Sequence, residues 1–193
     1  MQVSDAIIVS MQRWKRIEPT KVTKVGWRTV VTKTFIMPDG QTQTFDTFGN
    51  EGQEFVAVVG ITPEKKVVVA RQFRFGPEKM YDELPGGFVD KGEQLETAAL
   101  REFQEETGYR PGSIEYLGSY HKDTYMNATW HVFFAVDCVR VADPELEPEE
   151  HIAIHLISID ELIRNAQTDK MTDAVAVLMA YNKLQHLQDA PDG

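Results

Sequence analysis

The chain has 193 residues, a net charge of −10 and a hydrophobic fraction of 42%. That length allows one sizeable core, or one domain with an added lobe. The acidity argues against a nucleic-acid polymer as partner, because no basic stripe is available to neutralise phosphates, but a small phosphorylated ligand needs only a few local cations. The absence of a membrane-length apolar run and of a secretion signal, together with the single Cys138, predicts a cytoplasmic protein without disulfides.

The first fifty residues predict a small antiparallel β lobe. Residues 21–36 are rich in Val, Thr, Trp and Phe, which predicts a strand, and residues 41–48 predict the strand that returns. Between them, Met37-Pro-Asp-Gly40 has the proline and glycine of a tight turn. We therefore expect an N-terminal β lobe over residues 1–50 and a main domain over residues 51–193.

The main domain alternates strand and helix patterns. Residues 55–61 and 66–73 predict apolar strands joined by a short turn. Good helix formers without Pro or Gly predict a helix over residues 93–107, which Gly108 is well placed to end. Later patterns predict strands at residues 114–120, 129–139 and 152–158, and helices at residues 159–167 and 172–187. This order predicts an α/β fold in which a mixed sheet lies between layers of helices.

Three glutamates follow one face of the predicted helix. Glu102, Glu105 and Glu106 are spaced i, i+3, i+4, so their side chains leave the helix close together. Such a cluster is most often an acidic face in solvent, and the alternative is a cation site, since carboxylate oxygens suit Mg²⁺ or Mn²⁺. An apolar stripe within residues 95–99 continues beneath the carboxylates, and the preceding turn Leu84-Pro-Gly-Gly87 lets the backbone approach a ligand closely. These two features favour the cation site.

The same segment resembles the Nudix box. Gly87 is followed after five residues by Glu93, and seven residues later comes Arg101-Glu-Phe-Gln-Glu-Glu-Thr-Gly108-Tyr109. Every fixed letter of the Nudix pattern stands at the right spacing, which for residue types of about 7% abundance is roughly a one-in-a-million coincidence. Phe103 and Tyr109 stand where aliphatic residues are commoner in the family, and both still serve as bulky core anchors.

The resemblance implies a loop–helix–loop in an α/β/α sandwich that binds divalent ions, either Mg²⁺ or Mn²⁺. By motif position, Glu102 and Glu106 are the principal metal ligands, and Glu105 is a further ligand or an orienting catalytic group. The Gly86 carbonyl is a candidate backbone ligand. The positions that the motif marks as stabilising the catalytic loop are Glu93 and Arg101.

Beyond the box, the chain is similar to the branch of ADP-ribose pyrophosphatases and nucleoside-diphosphate-sugar hydrolases. The similarity includes the N-terminal hairpin, Arg71-Gln-Phe-Arg-Phe-Gly76, Glu83-Leu-Pro-Gly-Gly87 and a late acidic loop. It implies a cytoplasmic enzyme that hydrolyses ADP-ribose, or a related nucleoside diphosphate sugar, to a nucleoside monophosphate and a sugar phosphate. It also implies a homodimer formed through the N-terminal lobe, and neither a nucleic-acid nor a membrane partner.

Two alternatives stay open. One keeps the chemistry and changes the substrate to GDP-mannose, a nucleoside triphosphate, a dinucleoside polyphosphate or NADH. Residues 117–126, where members that prefer ADP-ribose often carry a proline, contain none, so a hexose in place of ribose phosphate belongs to this alternative. The other is a non-catalytic nucleotide-sensing module, which the intact box and the lack of a basic segment disfavour.

Candidate substrate ligands lie outside the box. Arg74, and with less support Arg71, would bind phosphate, because a guanidinium forks onto phosphate oxygens; the alternative for each is an ion pair with a carboxylate. Glu83 would bind the base or ribose, or would brace the turn. Trp27 and Arg28 are candidates to contact the nucleotide of a partner subunit, although an aromatic residue on a strand more often packs against its neighbours.

The acidic loop at residues 143–150 completes the expected site. In this branch a late loop supplies the general base or an additional metal ligand. Glu150 matches the ligand position best, and Glu149 or Glu147 would then deprotonate the attacking water. The alternative is a loop of solvated carboxylates.

Overall fold

The computed structural model describes residues 12–146 and 151–189. These residues form two compact units, the first containing residues 12–51 and 124–127 and the second containing residues 52–123 and 128–189 apart from the gap. No helix within the described residues is long and apolar enough to cross a membrane.

The first unit is an antiparallel meander of β1 (Lys15–Val25), β2 (Arg28–Ile36) and the first part of β3 (Thr42–Ile61). The turn at residues 37–40 forms as predicted, with the Gly40 N–H donating to the Met37 carbonyl at 2.9 Å. The prediction of one strand over residues 21–36 is wrong, because Gly26 adopts a φ of +60° and turns the chain between β1 and β2. A single glycine followed by a tryptophan gave no clear turn signal.

The second unit is built around a sheet that includes the rest of β3. The further elements are β4 Lys66–Arg74, β5 Lys79–Glu83, α1 Leu95–Thr107, β6 Tyr109–Arg110, β7 Ser113–Tyr120, β8 Met126–Val136, β9 Val139–Arg140, β10 Ala153–Ser158, α2 Ile159–Ala166 and α3 Ala174–Asp189. Strand β4 pairs antiparallel with β3, β5 and β10, and β7 pairs antiparallel with β8. The short strands β6 and β9 pair with each other. Strand β5 has no counterpart among the predicted strands, because it lies in a segment rich in turn formers.

Successive side chains of the central strands point to opposite faces of the sheet, so apolar residues form two cores, one on each face. Val56 and Val58 of β3 pack with Phe103 of α1, whereas Val59 and Ile61 pack with residues of α2 and α3. The sheet therefore lies between α1 on one side and α2 with α3 on the other. The mixed α/β fold class predicted from the sequence is confirmed.

Capping residues fix where α2 begins and where α1 ends. The Ser158 hydroxyl accepts the Glu161 N–H at 3.1 Å and begins α2, as the sequence predicts. Gly108 ends α1 in the left-handed region with a φ of +72°, and its N–H donates to the Gln104 carbonyl at 2.7 Å. A Cβ at Gly108 would lie 2.2 Å from the Ala142 carbonyl oxygen, so this position needs glycine for packing as well as for conformation.

Candidate active site

Helix α1 carries the acidic cluster to the edge of the core. Ala98, Ala99 and Phe103 are completely buried on its inner face, and Glu106 follows on that face with only 8% of its surface exposed. The Glu106 Oε2 atom accepts the Gly86 N–H at 2.8 Å. A carboxylate at this depth requires polar or cationic partners, because burial disfavours its charged form.

The glycines of the preceding loop allow close contact with both the sheet and the helix. The Val56 N–H donates to the Gly87 carbonyl and the Val58 N–H to the Pro85 carbonyl, each at 2.9 Å, so the loop is fixed along β3. Gly86 has a φ of +156°, and a Cβ there would lie 2.0 Å from the Val56 carbonyl oxygen. A Cβ on Gly87 would lie 2.4 Å from the Glu102 Oε2 atom. A side chain at Gly86 would clash with the backbone of β3, and one at Gly87 would displace the Glu102 carboxylate.

Arg101 joins the helix to this loop. Its Nη1 donates to Glu102 at 2.7 Å and to Glu105 at 3.0 Å. Its Nε and Nη2 bind the two carboxylate oxygens of Glu93, each at 3.0 Å, and Nη2 also donates to the Phe88 carbonyl at 3.0 Å. One guanidinium thereby fixes the loop and two carboxylates of the helix in a single arrangement.

The electrostatics of the cluster follow from this arrangement. Hydrogen bonding to Arg101, and secondly to the Asp90 N–H, holds the pKa of Glu93 below its ordinary value. The hydrogen bonds to Glu93 and then to Glu102 and Glu105, against the effect of burial, raise the pKa of Arg101. Arg101 therefore stays charged at neutral pH.

The donor groups of the cluster suit a hard divalent cation. Glu93, Glu102 and Glu105 share the single guanidinium of Arg101, and Glu106 accepts the Gly86 N–H, so the cluster has an excess of negative charge. Among residues 12–146 and 151–189, however, no three acidic, histidine or cysteine side chains converge as a complete metal site. Oxygen atoms of Glu102 and Glu105 are engaged by Arg101, so these carboxylates would be shared between Arg101 and a cation.

A cleft of about 390 Å³ opens beside the glycine loop and Glu106. Its aromatic wall is formed by Phe55, which stacks on Trp130 with ring centroids 4.5 Å apart and also contacts Phe88 at 4.3 Å. Phe88 is half exposed, so part of this wall is accessible to a planar ligand. The polar residues that line the cleft are Gln72, Arg74, Glu83, Glu106, Lys122 and Asp173.

The two candidate phosphate-binding arginines of β4 lie in different surroundings. Arg74 lines the cleft, where its Nε donates to Glu83 at 2.5 Å, and Glu83 is almost completely buried. Arg71 does not line the cleft and instead binds both carboxylate oxygens of Asp82, at 2.7 and 2.9 Å. Asp82 also accepts from Asn165 of α2 at 3.1 Å. The structure thus brings Arg74 and Glu83 to the same cleft as Glu106 and places Arg71 outside it. Each arginine also forms an ion pair with a carboxylate, Arg74 with Glu83 and Arg71 with Asp82.

The remaining predicted site residues belong to the first unit or lie outside the described residues. Trp27 and Arg28 belong to the first unit, where the Arg28 guanidinium carbon lies 4.6 Å from the centroid of the Trp27 ring. Glu147, Glu149 and Glu150 lie outside the described residues.

The acidic loop nevertheless starts next to the helix. The Glu145 N–H donates to the Glu105 carbonyl at 2.7 Å, directly before the segment that is not described. Asp143 and Glu145 line a small depression together with Arg101 and Glu105.

Sequence reasoning missed several residues of the cleft. Lys122, Trp130 and Asp173 all line it, yet they are far apart in the chain and belong to no local motif. An aromatic residue on a predicted strand and a lysine in a predicted loop are both ordinary features. Only the tertiary fold brings them together.

Comparison with known proteins identifies the family. The model of the NUDIX domain matches residues 53–178. The chain belongs to the NUDIX family. This confirms the resemblance inferred from the box, and makes the chain a Nudix pyrophosphohydrolase of a family that generally uses divalent metal ions.

Relatives and solved structures agree with this assignment. The chain is 30% identical over 152 residues to the methanol dehydrogenase activator of Bacillus methanolicus, and this alignment covers 77% of this chain and 81% of that protein. It is 27% identical over 157 residues to the ADP-ribose pyrophosphatase of Bacillus subtilis, covering 80% and 84%. The crystal structure of an ADP compounds hydrolase superimposes with a TM-score of 0.78 at 18% identity, covering 94% of this chain and 99% of that one, which shows the shared fold.

Proposed function

We propose that this Nudix protein hydrolyses the pyrophosphate bond of ADP-ribose or a closely related ADP-sugar, giving AMP and a sugar phosphate. The observation that carries the proposal is the position of buried Glu106, which lies at one side of a cleft that also contains Arg74 and an accessible aromatic wall. Relatives named ADP-ribose pyrophosphatase in Bacillus subtilis and ADP-sugar pyrophosphatase in Mus musculus support this substrate class.

The proposed cofactor is Mg²⁺, with Mn²⁺ as a substitute. Glu102 and Glu106 would hold it as principal ligands, with Glu105 and the Gly86 carbonyl as further donors. When bound, such an ion neutralises the pyrophosphate and lowers the pKa of a coordinated water. Glu150 as an additional ligand, and Glu149 or Glu147 as the general base, complete the proposal.

The protein's own residues account for binding and positioning. Arg101 and Glu93 hold the glycine loop against α1, and the Glu106 carboxylate fixes the Gly86 backbone. The Arg74 guanidinium, oriented by Glu83, faces the cleft as a donor to phosphate oxygens. The exposed face of Phe88 offers a stacking surface for the adenine ring.

The proposed assembly is a homodimer formed through the N-terminal β lobe, residues 1–50, next to a Nudix domain of residues 51–193. The first unit exposes several large apolar side chains, which in a monomer would remain in contact with water. These side chains are Val22, Val25, Trp27 and Phe48. Light scattering coupled to size-exclusion chromatography tests this: a dimer that becomes monomeric in Val25→Asp is expected, and a wild-type monomer would contradict it.

A substrate panel tests the proposed reaction. Wild-type protein with Mg²⁺ is given ADP-ribose, ADP-glucose, GDP-mannose, diadenosine polyphosphate and NADH at equal concentration, and nucleoside monophosphate release is measured by chromatography. We expect the highest kcat/KM for ADP-ribose or ADP-glucose, with AMP as product. A clear preference for a compound without an ADP-sugar would contradict the assignment, and tight binding without any product would favour the nucleotide-sensing alternative.

A further inference from the structure

A continuous chain of hydrogen bonds runs along the cleft on the side of α3. Arg74 donates to one carboxylate oxygen of Glu83, and the Thr172 hydroxyl donates to the other, with 2.5 Å between the bonded atoms in each case. The Lys122 ammonium donates to the same Thr172 hydroxyl at 3.1 Å and to Asp173 at 2.9 Å. Arg74 and Lys122 are therefore connected through the Glu83 carboxylate and the Thr172 hydroxyl.

The carboxylates of this chain are buried, whereas its cations are accessible. The side chains of Glu83 and Asp173 are 4% and 8% exposed, against 45% for Arg74 and 29% for Lys122. The second oxygen of Asp173 accepts the Leu84 N–H at 3.1 Å, which ties the chain to the loop that leads to Gly86. The buried acids thus fix the two cations, and the cations form the surface that a ligand meets.

The Lys122 ammonium has an N–H donor left for a ligand. An ammonium has three N–H donors, and Thr172 and Asp173 take two of them. Its nitrogen also lies 5.7 Å from the centroid of the Trp130 ring, which belongs to the aromatic wall of the cleft. The remaining donor is therefore available next to both the polar chain and the aromatic wall.

We infer that Lys122 binds a phosphate oxygen of the substrate and acts with Arg74 as a second cationic contact for the diphosphate group. The inference rests on the proposed function and adds to it a specificity-determining residue. Two fixed cations distinguish a diphosphate from a monophosphate, because the second anionic group gains a partner only when both are present.

A purely structural role is the competing explanation. Lys122 could serve only to neutralise buried Asp173, since an unpaired buried carboxylate is costly. The two explanations differ in what they predict for Lys122→Arg, which keeps the positive charge, and for Lys122→Gln, which removes it. If Lys122 binds phosphate, its substitution changes the affinity for the ligand. If its role is purely structural, only the stability of the protein changes.

The experiment measures KM and kcat for ADP-ribose with Mg²⁺, and separately the dissociation constant of ADP in the presence of EDTA. Lys183→Gln is the matched control, because Lys183 also pairs with one carboxylate, Glu115, and also lies 5.7 Å from an aromatic centroid, that of Phe134, but outside the cleft. We expect Lys122→Gln to raise both KM and the ADP dissociation constant by about 10- to 100-fold, the effect of losing a hydrogen bond between charged groups. The value of kcat should change far less, and Lys122→Arg should recover much of the affinity.

The outcomes separate the inference from the proposed function. If Lys122→Gln binds ADP as well as Lys183→Gln does, Lys122 does not contact phosphate. If Lys122→Gln and Lys122→Arg lower the melting temperature equally and both keep wild-type ADP affinity, the role is structural and the inference fails. If the wild type hydrolyses no ADP-sugar but its ADP affinity still depends on Lys122, the inference stands and the proposed reaction fails.

Discussion

Substituting Gly87 with alanine should lower the rate of hydrolysis by about 100-fold without unfolding the protein. The new methyl group would lie 2.4 Å from the Glu102 Oε2 atom and 2.6 Å from its Cδ atom, well inside van der Waals contact. The obstacle is the end of a flexible side chain, so the carboxylate moves and the backbone does not. Displacing a reacting or ligating group by about 1 Å costs on the order of 100-fold in rate.

The neighbouring Gly86 gives the contrasting result. A Cβ there would lie 2.0 Å from the Val56 carbonyl oxygen, which belongs to a central strand and cannot move aside. The φ of +156° adds a strain of about 1–3 kcal/mol for any residue other than glycine. Gly86→Ala should therefore lower the melting temperature by about 5 °C or more, since each kcal/mol corresponds to about 2–4 °C at this chain length.

Two measurements on each variant test this reasoning. Thermal unfolding followed by circular dichroism should place Gly87→Ala close to wild type and Gly86→Ala well below it. The kcat/KM for ADP-ribose with Mg²⁺ should fall by about 100-fold in Gly87→Ala. Gly76→Ala is the control, because its Cβ would meet nothing within 4 Å. Wild-type kcat/KM in Gly87→Ala would refute the placement of Glu102 at the reacting centre.

Three further predictions concern packing, pH and the thiol. Gly60→Ala places a Cβ 2.4 Å from the Phe103 ring, so overpacking should cost about 1–3 kcal/mol in urea unfolding, and an unchanged midpoint would contradict it. The pKa of Glu93 is lowered by Arg101, so the stability it contributes is complete above its ordinary pKa of 4.5 and is lost as the pH falls through the folded value. The melting-temperature difference between wild type and Glu93→Gln should therefore be constant near neutral pH and shrink in acid; a difference that grows in acid would refute this. Burial raises the pKa of Cys138 to about 12, so a thiol reagent at pH 8 should label it only after unfolding.

The parts of the fold that the sequence predicted are those with local signals. The helix around Glu102 and its end at Gly108 follow from helix propensity and a glycine cap, and the α2 start follows from the Ser158 capping box. The acidic cluster is visible for the same reason, because its spacing of i, i+3, i+4 is a property of one helix.

The parts that escaped the sequence depend on long-range contacts. Strand β5, Lys79–Glu83, is short and lies among turn formers, and it is stabilised by pairing with β4. Lys122 and Thr172 are fifty positions apart, and their contact exists only because α3 packs beside the cleft. Arg71 and Arg74 are indistinguishable as residue types in the same strand, and only their partners Asp82 and Glu83 distinguish their roles.

Glu106→Gln shows whether the carboxylates of α1 support pyrophosphate hydrolysis. The amide is isosteric and can still accept the Gly86 N–H, so the fold should be retained. Glu96→Gln is the matched control, since Glu96 is an exposed residue in the first turn of the same helix. We expect Mg²⁺-dependent release of AMP from ADP-ribose to fall by several orders of magnitude in Glu106→Gln and to be unchanged in Glu96→Gln. Near wild-type turnover in a folded Glu106→Gln protein would contradict the account.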